Sequence, residues 1–148
     1  MSLADLSSVA TAVSVAIAAG ALVLAHRQAR TTFEDSLNRE YRETARALPL
    51  SALLGKELPS NQMEEALPDF YRYVDLCNEQ VYLRMKGRVR ASTWREWRSG
   101  IENNLKRPAF RKAFERIREE SHADFDELAE LIDSGFHEDP RRWRTRHR

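Results

Sequence analysis

Twenty successive positions, Leu6–Ala25, carry no charge and show no polar stripe (LSSVATAVSVAIAAGALVLA). At 1.5 Å per residue this stretch is about 30 Å long, the thickness of a bilayer's hydrocarbon layer. Its polar side chains are Ser7, Ser8, Thr11 and Ser14, whose hydroxyls can bond back onto the preceding helical turn. Eight Leu, Ile and Val residues favour insertion by about 0.3–0.6 kcal/mol each, a thin margin once the serines and Gly20 are set against it. The pattern predicts a membrane-spanning helix.

Beyond Arg27 the pattern changes to apolar residues at helical spacing among charges. Phe33, Leu37, Tyr41, Thr44, Ala45 and Leu48 fall on one face, so the first helix should continue until Pro49 stops it. Leu50–Leu58 reads as a short apolar turn, and Pro59–Asn61 as loop. A second helix is expected from Met63 or Pro68 to Lys86, with Phe70, Val74, Cys77, Val81 and Met85 as its inner stripe and Gly87 as its stop. A third opens at Ser92 or Thr93, where Thr93 and Glu96 match a capping box, and buries Trp94, Trp97, Ile101 and Leu105. A fourth, Pro108–Glu120, turns Phe110, Ala113, Phe114 and Ile117 inward. Ser121 and Asp124 should cap a fifth, which buries Phe125, Leu128, Leu131 and Ile132 and ends at Gly135. No stretch sustains a period of two. The fold class is therefore all-α: an N-terminal transmembrane helix (residues 1–26), a four- or five-helix bundle (27–136), and a basic tail, 137–148, expected to be disordered for want of apolar spacing.

Charge sets the orientation. Asp5 precedes the apolar run, whereas His26, Arg27, Arg30 and Arg39 follow it. Positive residues stay inside, so the N-terminus is expected outside and the domain in the cytoplasm, at a bacterial inner membrane. A cleaved leader fits less well, since its basic residues would sit on the wrong side. The single Cys77 excludes an intrachain disulfide and agrees with a reducing compartment. Overall charge is nearly balanced, 24 basic residues against 23 acidic, which gives no global attraction to nucleic acid. The distribution is uneven: Arg84–Arg107 holds eight basic residues and Glu115–Asp139 ten acidic ones, so the two stretches are expected to face each other.

The residues from Phe70 to Ile117 include Asp75-Leu76-Cys77-Asn78-Glu79, the turn Lys86-Gly87-Arg88, Trp94-x-x-Trp97-x-x-Gly100-Ile101 and Pro108-Ala109-Phe110. This stretch, about a third of the chain, resembles the cytoplasmic part of a group of uncharacterised bacterial single-pass membrane proteins with a helical domain of unknown function. The resemblance implies architecture and location and carries over no catalytic residue.

Few residues suggest chemistry. The five glycines are isolated, so no phosphate-binding loop can be built, and one cysteine makes no thiolate zinc site. Glu119 and His122 form half of a di-iron motif whose second copy is missing. No cofactor is expected. Arg116-x5-His122 fits the loose pattern of HEPN-type ribonucleases, with His122 as general acid or base and Arg116 stabilising the phosphorane. Arg142 and His147 fit it equally loosely, and surface charge explains both pairs. Asp75, Asn78 and Glu79, set among aromatic residues, suggest a polar pocket or a buried network between helices. Arg141, Arg142, Trp143, Arg144, Arg146 and Arg148 suggest contact with anionic lipid or, less readily, nucleic acid. Ala12, Ala16, Ala19 and Gly20 share one arc of the apolar helix and suggest a self-association face. The reading that emerges is a non-enzymatic, membrane-tethered interaction or regulatory module. Lipids hold its anchor, a protein binds its domain, and a homo-oligomer is a further expectation. The alternative is a membrane-associated HEPN-like ribonuclease or defence effector.

Overall fold

The computed structural model describes residues 3–121 and 125–145, with side chains over 11–121 and 125–143. Among them the secondary structure is all helical: α1 (Leu3–Ala47), α2 (Leu50–Leu53), α3 (Ser60–Met85), α4 (Ala91–Leu105), α5 (Pro108–Glu120), α6 (Asp126–Asp133) and a 3₁₀ turn over Pro140–Thr145. The chain divides into two compact units, one up to Ser36 and one from Leu37 onwards. The boundary falls ten residues later than residues 26/27, where the charge pattern changes, because a helical stalk follows the apolar stretch.

Among the described residues of the apolar stretch, 11–25, every side chain is exposed. Val13, Val15, Ile17, Leu22, Val23 and Leu24 are each more than half exposed. This is the one helix among the described residues long and apolar enough to cross a membrane, and none of its apolar window is buried. A core helix of a soluble protein would bury that window. Past Ala25, the hydroxyls of Thr31 and Ser36 donate to the carbonyls of Arg27 and Phe33, the back-bonding expected of helical hydroxyl residues.

The second unit is built around α3, which packs against α4, α5, α6 and the 3₁₀ turn. Its buried face is wider than the five-residue stripe read from the sequence, because Tyr73, Leu76, Gln80, Leu83 and Arg84 are enclosed as well. Phe110 of α5 meets Phe70 and Tyr73 edge-on at 5.2 and 5.1 Å. Such pairs contribute about 0.5–1.5 kcal/mol beyond the area they bury. The C-terminal part of α1 joins this core through buried Leu37 and through Asn38, whose Oδ1 accepts from the Trp97 indole Nε1 of α4 at 2.7 Å; Leu48, just past its end, is buried too.

Three helix boundaries differ from expectation. α3 starts at Ser60 and carries Pro68 inside it. Proline there leaves the Glu64 carbonyl without its helical donor, but burial of Met63 and Ala66 holds the first turns in place. α4 begins at Ala91, and Thr93 lies within its first turn instead of capping it. Buried Val89, whose carbonyl accepts from Arg84 Nη1 at 2.9 Å, fixes the chain just upstream and sets that start. Ser121 does not cap the fifth bundle helix, α6, which starts at Asp126; Asp124 lies outside the described residues. Gly87 and Gly135 do end their helices as expected. At φ +76° and +64° they let Arg88 N and Phe136 N reach back to Leu83 O and Leu131 O at 3.0 Å.

The expectation of a disordered tail is wrong as far as Trp143. That indole is fully buried and its Nε1 donates to Glu138 Oε2 at 2.8 Å. One buried aromatic residue helps dock a segment that has no apolar period. Asp139 adds a clamp: Arg84 Nε and Nη2 donate to its two carboxylate oxygens at 2.8 and 2.5 Å. The basic and acidic stretches meet at this pair. Trp143→Ala should therefore lower the unfolding free energy by about 3–5 kcal/mol, the range for a buried large-to-small change. Thermal unfolding in detergent checks this, and a change under about 0.5 kcal/mol would mean a surface residue.

Candidate functional site

Asp75, Asn78 and Glu79 do not gather into a pocket. Asp75 and Glu79 are exposed on α3. The Glu79 carboxyl is pushed up, by partial burial first and then by the neighbouring charges of Glu40 and Asp75. Asn78 turns the other way and works as a cap in trans. Its Oδ1 accepts from the backbone N–H of Leu128 at 2.9 Å, in the first turn of α6, and its Nδ2 donates to Glu127 Oε2 at 3.2 Å. α6 has no cap from its own chain neighbours, so a residue 50 positions upstream supplies one.

Arg116 is committed to ion pairs. Its Nη1 and Nε stand 2.6 Å from Glu64 Oε2 and Glu120 Oε1 respectively. These carboxylates hold the guanidinium firmly charged, Glu64 first. His122, its proposed partner, lies outside the described residues. Glu64 and Glu120 also rim a groove of about 620 Å³ between α3 and α5, floored by Leu67, Pro68, Tyr71 and Ile117.

In the tail, Arg141 and Arg142 are exposed. Burial of Trp143 overturns its assignment to lipid or base contact, since an enclosed indole meets neither. The side chain of Arg144 and all of Arg146 and Arg148 lie outside the described residues. In α1, Ala12, Ala16, Ala19 and Gly20 are exposed, and no atom lies within 4 Å of a Cβ built on Gly20.

Sequence patterning missed a polar cluster in the core. Asn104 of α4 donates through Nδ2 to the hydroxyls of Tyr73 and Tyr41, at 2.8 and 3.0 Å. Cys77 stands beside Tyr73 with no exposure at all. Burial pushes the thiol up to about 12, and burial, with Cys77 and Tyr41 adding, raises the Tyr73 phenol well above its ordinary range. Both groups stay neutral at physiological pH, so the cluster is a structural network. An asparagine on the inner face of an amphipathic helix was its sole signal. Among the described residues no three histidine, cysteine or acidic side chains converge in a way that could hold a metal ion.

No family model matches the chain, and no curated protein or solved structure matches it either. The resemblance to single-pass membrane proteins thus rests on the residues that suggested it.

Two outcomes follow. Cys77 should resist thiol reagents at neutral pH in the folded protein and react only on unfolding, as a titration with a chromogenic disulfide reads directly. Burial raises the Asp139 carboxyl, but the Arg84 hydrogen bond, the Arg141 N–H and the nearby guanidinium charges lower it further, for a net depression. A depressed carboxyl stabilises the fold above its unfolded value and loses that contribution as pH falls through the folded value. Wild type should lose stability below about pH 4. Asp139→Asn should be less stable at pH 7 by about 2 kcal/mol, discounted because the carboxylate is a third exposed, with a shallower acid limb.

Proposed function

We propose that this chain is a membrane-anchored interaction module, non-enzymatic, whose helical domain faces the cytoplasm and binds a protein partner. The observation that carries it is the contrast within α1. The described part of an apolar stretch of membrane length buries none of its side chains, and the same helix continues into a well-packed domain. Leaving that stretch in water is costly, at about 25 cal/mol per Å² of apolar surface, and a bilayer removes the cost. The arginines and histidine that follow the stretch favour an inside location for the domain.

The domain's polar residues support a binding role over catalysis. Asn78 caps a helix, Arg84 clamps the tail, Asn104 ties two tyrosines, and Arg116 is divided between two carboxylates. A ribonuclease using Arg116 would have to break both ion pairs to engage a phosphate. The groove between α3 and α5, beside partly exposed Tyr71, offers an apolar floor at the domain surface. Crosslinking the full chain in native membranes is expected to recover a stoichiometric protein partner, and Leu67→Glu with Tyr71→Glu should abolish its capture. RNA cleavage by the purified chain that disappears in His122→Ala would overturn this reading in favour of the nuclease.

A further inference from the structure

Three cations converge where α3 ends. The turn after Met85 is fixed by Gly87 in the left-handed region, which sets Lys86 and Arg88 on either side of it. The 3₁₀ turn brings a third. The Arg141 guanidinium lies against Gly87 so closely that a Cβ there would collide with it. This placement is built, not incidental. The Arg84–Asp139 clamp and the buried Trp143 hold the segment on α3 from both ends of Arg141.

All three side chains are exposed. Lys86 leans over the Tyr82 ring at 5.1 Å. Asp139 is the carboxylate next to the cluster, and its oxygens are already taken by Arg84 and by the Arg141 backbone N–H. Among the described residues no carboxylate pairs with the side chains of Lys86, Arg88 or Arg141. In a chain with nearly equal numbers of acidic and basic residues, this is a local excess of positive charge that the fold leaves facing solvent.

We infer that this turn is a docking surface for anionic phospholipid headgroups. It rests on the reading of α1 as a membrane anchor, which would keep the domain at high effective concentration near headgroups. Lipid is favoured over nucleic acid by the fate of the aromatic residues. Trp143 is enclosed and Lys86 stands over one face of Tyr82, so the cluster offers three phosphate contacts against one partly covered ring for stacking.

Full-length Ser92→Cys protein, labelled with a fluorophore at that exposed site and reconstituted in nanodiscs, tests this by energy transfer to a headgroup-labelled lipid. Buried Cys77 stays unlabelled. Transfer should be stronger in phosphatidylglycerol-rich discs than in pure phosphatidylcholine. It should fall as salt shortens the Debye length from about 10 Å at 0.1 M to about 3 Å at 1 M. Replacing Lys86, Arg88 and Arg141 together by Gln should lower the docking equilibrium roughly a hundredfold. Arg88→Glu, which alters a side chain with no bond described above and leaves the backbone bond of residue 88 in place, should lower it in the same direction if the triple variant folds poorly. Transfer indifferent to headgroup charge or to these substitutions overturns the surface while the chain remains in the disc. Escape of the chain from the disc at 1 M salt removes the anchor, and the inference with it. Tighter binding of a single-stranded RNA than of lipid, lost in the triple variant, assigns the cluster to nucleic acid instead.

Discussion

Everything in the domain depends on enclosing α3. A helix of 26 residues with twelve of them buried, Phe70, Tyr73, Val74 and Leu76 among them, cannot stand alone in water, and the rest of the unit packs on that broad face. The aromatic contacts of Phe70 and Tyr73 with Phe110 fix α5, and the Asn104 bridge to Tyr73 and Tyr41 fixes α4 and the end of α1. Two polar residues of α3 do the remaining positioning. Asn78 holds the start of α6, and Arg84 holds both the α3–α4 turn and the tail. The central helix thus supplies the hydrophobic surface and the directional bonds that decide where its neighbours sit.

Burying Arg84 is the costliest part of this arrangement. A guanidinium withdrawn from water is tolerated when each of its nitrogens finds an acceptor and its charge a carboxylate. Here Nε and Nη2 engage Asp139 bidentately and Nη1 reaches the Val89 carbonyl. The return is geometric. One side chain fixes where α4 begins and docks a segment some 55 residues downstream. That docking in turn places Arg141 over Gly87 and builds the cationic turn.

Most of the architecture was legible as a pattern. The break from an unbroken apolar run to helical spacing separated the apolar stretch from the domain, and Pro49, Gly87, Pro108 and Gly135 marked ends that local geometry dictates. What escaped was set by contacts between distant positions. Nothing near Thr93 tells that Val89 will be buried and start α4 early. Nothing near Asn78 tells that its amide will cap a helix 50 residues on, so it read as part of a pocket with Asp75 and Glu79. The tail misled because periodicity cannot register a single buried tryptophan. Candidate chemistry was harder still. Arg116 matched a loose motif, yet Glu64, 52 positions upstream, competes for it in space.

The proposal that the apolar stretch of α1 is a membrane anchor carries the functional reading, and one fractionation tests it. Membranes from cells expressing the full chain are extracted with alkaline carbonate, alongside a variant in which exposed Val13 and Ile17 are replaced by Asp. Two charges at the middle of the span oppose insertion by roughly 5–7 kcal/mol, more than its apolar residues supply. The account predicts that the full chain stays in the membrane pellet and the variant passes into the supernatant. Release of the full chain would contradict it, as would retention of both proteins.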